Sequence, residues 1–315
     1  MAVARLTYAI AFIVCLDAAV ADAADLLQTY RDALANDATY ASARAARDAG
    51  LENIPQGVAP LLPSLNASAF TQYSNVDIGF PQPELTRQGN TNGYTVTLTQ
   101  PLFNWQSFQL YKEAGYKAIQ AESVFGQATQ DLIIRVAQAY FDVLTSQNNV
   151  ALIQSQKAAI AEQLAQAKRN FEVGTATITD TNEAQARYDL AISQQIASQS
   201  DLEVRKRTLQ QIIGRFPERL EPLRTSIELR PPSPNSMEDW ASAAAAQGYP
   251  VKAQEAALEI ASREIERNRA GHLPTLNVVG NYVQNSSALN TTAVNNASSQ
   301  LTNRNIALQL AIPLY

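Results

Sequence analysis

Few residues in this chain are placed to do covalent or acid–base chemistry. The one histidine, His272, stands directly before Leu-Pro-Thr-Leu and reads as a polar residue at a helix-to-strand junction. The one cysteine, Cys15, sits inside an apolar N-terminal run. Asp131, Asp142, Asp180 and Asp189 fall on segments patterned as long helices, where carboxylates are by default solvated or capping. A general acid and base must converge on one reacting atom, and nothing in this spacing brings two of these groups together. There is no Gly-rich phosphate loop. The reading is therefore of a protein that is not an enzyme, with no catalytic, cofactor-binding or metal residues. The stretch that does ask for an explanation is FEVGTATITD at 171–180, which interrupts a proline-free run from Leu102 to Phe216 whose flanks are patterned as helix.

The elements on either side of that stretch are long. From about Asn104 to Asn170 the only glycines are Gly115 and Gly126. At 1.5 Å per residue an unbroken helix there approaches roughly 100 Å. Apolar residues recur at Ile133, Val136, Tyr140 and Leu144, then at Ile160, Leu164, Ala167 and Phe171, the 3-4 spacing of a coiled-coil or helical-barrel seam. A return arm from about Thr181 to Gly214 carries Tyr188, Ile192 and Ile196, then Leu202, Leu209 and Ile213, among many Ala, Gln and Ser. FEVGTATITD is then the turn between antiparallel arms. Gly174 supplies a left-handed backbone at the end of the first, Thr175 and Thr177 weaken continuation, and Thr179 or Asp180 caps the second.

The N-terminus, MAVARLTYAIAFIVCLDAAVADA, reads as a secretory signal cleaved after about Ala21 or Ala23, which would remove Cys15 and leave a mature chain without thiols. The 24 Lys plus Arg against 29 Asp plus Glu, net charge -5, give no general reason to expect nucleic acid as a partner. No segment after the signal has eighteen consecutive apolar residues. A helical membrane protein is therefore not indicated, while a transmembrane β-barrel, whose strands need only alternate over roughly ten residues, stays open.

Strand-like alternation is present twice. Ile306, Leu308, Leu310 and Ile312 alternate with Ala307, Gln309 and Ala311, and Tyr94, Val96 and Leu98 with Thr95, Thr97 and Thr99. Leu65, Ala67 and Ala69 share a face, with Phe70 on the other. LLPSLNASAFTQY (61–73) returns as HLPTLNVVGNYVQ (272–284) at an offset of about 211 residues, and NGYTVTLTQPLF (92–103) is echoed by NRNIALQLAIPLY (303–315). An Ala-rich, Arg/Glu-dotted helical segment precedes each copy. A duplicated unit of about 210 residues is the economical reading. Polar loops of Asn, Ser, Thr and Gln are expected at about 74–91 and 285–302. By pattern alone the strands fit either a membrane barrel or a soluble hairpin.

With these residues in view the chain resembles the TolC-like outer-membrane efflux proteins over nearly all of its length after the signal. The resemblance is carried by the doubled LPSLN/LPTLN, by Q-P-L-F-N-W at 100–105, by VAQAYFDVL at 136–144, and by FEVGTATITD with the following EAQARYDLA at 183–191. It implies an α+β membrane protein in which protomers of a homotrimer each give four strands to one outer-membrane barrel, continuous with a periplasmic barrel of long helices. By position those strands are about 64–74, 92–102, 275–285 and 303–312. The segments are then a signal peptide at 1–23 and a first repeat of helix plus two strands at 24–103. A helical hairpin at 104–216, an equatorial segment at 217–247 and the start of a second repeat at 248–315 follow.

The resemblance also implies a passive exit channel of a tripartite efflux or type I secretion system. Its partners would be a periplasmic adaptor, an inner-membrane ABC or proton-driven transporter, and outer-membrane lipid. The adaptor would meet the hairpin tip at Val173, Gly174, Thr175, Thr177 and Asp180. The family's second hairpin would begin after the fourth strand, and Tyr315 matches Phe103 at the end of the second. Pore-constricting residues are thus expected outside this sequence, and a 315-residue form is expected to assemble poorly. Independently of the resemblance, four strands leave two unpaired edges that lipid does not tolerate, so the sheet must be completed by other chains. The alternative from another class is a periplasmic coiled-coil adaptor or scaffold without a pore, which also carries a long helical hairpin.

Overall fold

The computed structural model describes residues 24–78, 85–223, 231–288 and 299–314. The expected signal peptide lies outside them. In chain order the elements are α1 (Leu26–Asn36), α2 (Ala38–Leu51), α3 (Asn53–Val58), a 3-10 turn (Ala59–Leu61), β1 (Ser64–Ile78), β2 (Leu85–Phe103), α4 (Trp105–Glu172), α5 (Ile178–Ile213), α6 (Met237–Gln247), α7 (Tyr249–Ala270), β3 (Thr275–Ser287) and β4 (Ser299–Ala311). Among the described residues they fall into two compact units, one of 24–41 with 130–223 and the other of 42–78, 85–129, 231–288 and 299–314.

In the first unit α1 packs with the C-terminal part of α4 and with α5. The Asp25 side chain caps α1 by accepting from the Gln28 N–H at 2.6 Å. The single helical segment expected upstream of Leu-Pro is interrupted at Asp37, whose carboxylate accepts from the Tyr40 N–H at 2.6 Å and starts α2 afresh. On α4 the residues Leu132, Val136, Ala139, Tyr140, Val143 and Leu144 form one buried stripe, met by Ala33 of α1, Leu209 and Ile213 of α5, and Leu220. The seam thus starts at Leu132. Ile133 and Ile196, assigned to it from spacing, are half or more exposed, because two antiparallel helices cover only one stripe of each other and leave the flanking apolar positions for further neighbours. Toward the turn the arms bury little apart from Val150, Leu164, Ala191 and Ser198. Ala24 and Leu220 form a parallel bridge, and the buried Tyr140 hydroxyl donates to the Glu221 carbonyl beside it at 2.8 Å.

The second unit holds the sheet. Its four strands are antiparallel in the order β1-β2-β3-β4. Leu65 lies opposite Leu98 in the first hairpin and Leu276 opposite Leu310 in the second, the same register at the sequence repeat. The hairpins join directly, Leu98 opposite Gly280 and Val96 opposite Tyr282. The two prolines matched in the repeat differ in setting: Pro101 sits inside β2 beside a register shift, whereas Pro313 lies past the end of β4. The strands are also longer than alternation suggested, and the loops expected at about 74–91 and 285–302 are correspondingly shorter. Their polar residues continue the ladder through side-chain bonds: Thr71 to Asn90 (3.1 Å), Tyr73 to Gln88 (3.0 Å) and Thr91 with Ser287 (3.0 Å). Residues 79–84 and 289–298 lie outside the described residues.

Small residues set how closely the helices of this unit approach. A Cβ on Gly50 or on Gly57 would overlap the Cβ of Ala121 or of Ala114 on α4, two contacts seven residues apart on both partners. Farther along, α7 lies on α4 through Tyr249 over Gly126 and through a buried carboxylate, Glu113, paired with Lys117 (2.8 Å) and Arg267 (3.5 Å).

Candidate functional site

The four strands place their alternating residues on two chemically different faces, because directly opposed residues of a ladder point the same way. One face carries rows such as Leu65, Leu98, Gly280 and Ile306, and above it Ala67, Val96, Tyr282 and Arg304; Val278 with Leu308 and Leu276 with Leu310 continue it below. The other carries Asn66, Thr97, Asn281 and Asn305, and Ser68, Thr95, Val283 and Asn303, with Thr97 donating to Asn281 at 2.9 Å. Phe70 falls on this second face. The apolar face is not covered: Ile306 is 85% and Leu308 67% exposed. Among the described residues neither β1 nor β4 has a second partner strand. Toward one end of the apolar face Tyr94 and Tyr282 stack at 5.9 Å, with the Arg304 guanidinium 5.2 Å from the Tyr282 ring centre.

The turn between α4 and α5 is built by local chemistry. Gly174 has φ +79°, and a Cβ there would meet nothing within 4 Å, so its role is the left-handed backbone and not space. The Asn170 carbonyl accepts from the Thr175 N–H (2.8 Å) and hydroxyl (3.0 Å). The cap of α5 is Thr177 and neither Thr179 nor Asp180: Thr177 keeps an extended backbone while Ile178 and Thr179 are already helical. Asp180 completes a capping box, its carboxylate accepting from the Thr177 N–H at 2.8 Å and its own N–H donating to Thr177 Oγ1 at 3.2 Å. The Thr177 N–H and hydroxyl hold the Asp180 carboxyl below the usual range. Val173 and Ile178 project beside the turn at 73% and 54% exposure.

The remaining residues singled out for chemistry do not converge. His272 is exposed at the α7–β3 junction, Asp142 pairs with Arg205 at 3.3 Å, and Asp189 accepts from Gln185 four residues away at 2.9 Å. Sequence reasoning missed Asp37, buried at 4% exposure and held by Arg135 through two bonds of 3.0 and 3.2 Å. Burial pushes that carboxyl up, but Arg135 and the Tyr40 and Thr39 N–H groups outweigh it and hold the pKa below the ordinary value. It also missed Arg304, although that arginine stands in phase with Ile306, Leu308 and Leu310.

A sheet with one apolar and one polar face, open at both edges among the described residues and joined in sequence to a long helical hairpin, is patterned as part of a transmembrane β-barrel. No described helix is long and apolar enough to cross a membrane. The outer membrane efflux protein family matches residues 29–215, and the chain belongs to that family. It is 30% identical over 293 residues to the outer membrane protein TolC of Vibrio cholerae, covering 93% of this chain and 65% of that protein. Likewise it is 30% identical over 296 residues to the alkaline protease secretion protein AprF of Pseudomonas aeruginosa, covering 92% of this chain and 61% of that one. The fold is that of the outer membrane channel CmeC of Campylobacter jejuni, with TM-score 0.75 at 17% identity over 92% of this chain and 61% of that one. The chain thus spans less than two thirds of the length of these relatives. It is an outer-membrane protein whose helices extend into the periplasm, and nothing in its fold or its relatives supports a pore-free scaffold.

Proposed function

We propose that this chain forms the wall of an outer-membrane exit channel in a tripartite efflux or type I secretion system, with three copies closing one barrel. The observation that carries this is the register of the sheet: four strands gather most of their large aliphatic residues on one face and rows of Asn, Ser and Thr on the other, with both outer edges unpaired among the described residues. Lipid on the first face, water on the second and neighbouring copies at the edges satisfy all three. The channel is a passive conduit and not an enzyme; energy comes from an inner-membrane ABC or proton-driven transporter, reached through a periplasmic adaptor. Reconstituted in a planar bilayer, the full-length protein gives stepwise ion conductance. Insertion without conductance would remove the reading.

The adaptor docks on the turn at Val173, Gly174, Thr175, Thr177 and Asp180. One feature supports this beyond the making of a turn: Val173 and Ile178 are exposed beside it and offer apolar contact to a partner's tip. Thr175→Trp leaves Gly174 and the Thr177–Asp180 box in place, so it abolishes co-purification with the adaptor and export while the protein still reaches the outer membrane. Normal complex formation would leave the stretch as a turn alone.

A further inference from the structure

Gly280 stands in mid-strand between Leu98 and Ile306. Its φ lies outside the left-handed region, the β2–β3 ladder shifts register at Pro101/Phe103 and not here, and nothing lies within 4 Å of where its Cβ would be. Neither turn, bulge nor packing asks for glycine here. A glycine inside a strand weakens it, and where the backbone gives no reason it marks the close approach of a ligand or another chain. Around it the apolar face forms an open, shallow depression, lined in part by Val96, Leu98, Tyr282, Arg304 and Ile306. Arg304 is the one ionised group among the described side chains of the four strands. No carboxylate among the described residues pairs with it; its neighbour is Tyr282, through both the ring and the hydroxyl.

An arginine on a lipid-facing surface is costly at mid-membrane and nearly free at the rim. Tyr94 and Tyr282, stacked in and next to its row, are the residues that mark such a rim, where hydrocarbon gives way to headgroups. Headgroup phosphate suits a guanidinium, whose planar fork can hold two oxygens at once. We propose that this depression binds an anionic phospholipid, its phosphate on Arg304 and an acyl chain laid over Gly280 between Leu98 and Ile306. The inference rests on the barrel reading, in which this face meets lipid. Charge chooses the headgroup and the missing side chain makes room for the tail, so the two halves of the site can be tested apart.

The full-length protein, assembled in detergent, is titrated with phosphatidylglycerol or with phosphatidylcholine, and bound lipid is counted per chain by native mass spectrometry. The wild type retains one phosphatidylglycerol per chain in preference to phosphatidylcholine. Arg304→Gln weakens phosphatidylglycerol binding by about tenfold or more, the scale of a lost charge-assisted hydrogen bond, and removes the preference. Arg304→Lys keeps part of it. Gly280→Leu, which the open space accepts, weakens both lipids alike. Wild-type protein that inserts into vesicles yet binds the two lipids equally would overturn the site. So would Arg304→Gln that binds phosphatidylglycerol normally but loses its oligomeric mass, since a neighbouring copy would then be the partner of Arg304. A protein that does not insert at all would instead overturn the barrel reading.

Discussion

Leu308→Arg and Gln309→Arg, one residue apart on β4, should have opposite fates. Leu308 lies opposite Val278 on the apolar face and Gln309 opposite Asn277 on the polar one. A strand advances about 3.3 Å per residue, or about 2.5 Å along the membrane normal at a tilt near 40°, so an apolar band about 25 Å tall takes up about ten residues. Counted inward from a rim at Arg304, Leu308 falls near the middle of that band. Arginine on the lipid face there costs about 2–4 kcal/mol per copy, while substitutions on the lumen side alter selectivity. Because each assembly carries the change in every copy, Leu308→Arg should strongly reduce the heat-resistant oligomer in outer-membrane fractions. Gln309→Arg should assemble at wild-type level and shift ion selectivity toward anions. Denaturant titration in phospholipid vesicles would give the free-energy difference. Equal losses for both variants, or a loss only with Gln309→Arg, would refute the assignment of faces.

Asp37→Ala removes both a helix cap, worth about 1 kcal/mol, and the partner of Arg135. Because that arginine is 39% exposed, the ion pair adds only about 1 kcal/mol more, and the sum lowers Tm by roughly 4–8 °C at about 2–4 °C per kcal/mol. Asp37→Asn keeps a capping oxygen and should lose about half as much. Since the folded-state pKa of Asp37 is depressed, its contribution is fully present above the unfolded value of about 3.9 and lost as pH falls through the folded value; the gap between wild type and Asp37→Asn should hold from pH 5 to 8 and close below about 4. Gly57→Leu forces the Cβ onto Ala114 and should destabilise by about 1–3 kcal/mol. Gly115→Ala, in the same unit with open space around it, should stabilise by about 0.5–1 kcal/mol, both read by thermal unfolding. A cysteine at Ala288 should react with an impermeant thiol reagent on whole cells and one at Val173 should not; the reverse pattern would invert the topology.

Much of the architecture was legible because it rests on period and on repetition. The alternation of Ile306, Leu308 and Leu310 set a face without any neighbour in view, and the doubled Leu-Pro with its matched strands carried the register that pairs Leu65 with Leu98 and Leu276 with Leu310. The turn was legible because Gly174 and the threonines break a helical pattern. The exact cap was not, since Thr177, Thr179 and Asp180 can all cap in principle and only the extended backbone at Thr177 selects among them. The outer strand ends were hidden for a different reason: Asn, Ser, Thr and Gln show no apolar alternation, and it is cross-strand bonding that keeps them extended. Ile133 and Ile196 looked like seam residues because period names a stripe but not which neighbour covers it. Asp37 and Arg135 are 98 residues apart, and no local pattern announces such a pair. Arg304 could have been found, as the one charge in phase with Ile306, Leu308 and Leu310 on its strand.

In the proposed assembly the open sheet is completed by two further copies of itself in the outer membrane. Its most direct test is the native mass of the full-length protein extracted from outer membranes in mild detergent. A single species of three chains is expected, falling apart when the edges are blocked by a proline at Ala67 on β1 or at Ala307 on β4. A stable, membrane-inserted monomer would contradict it.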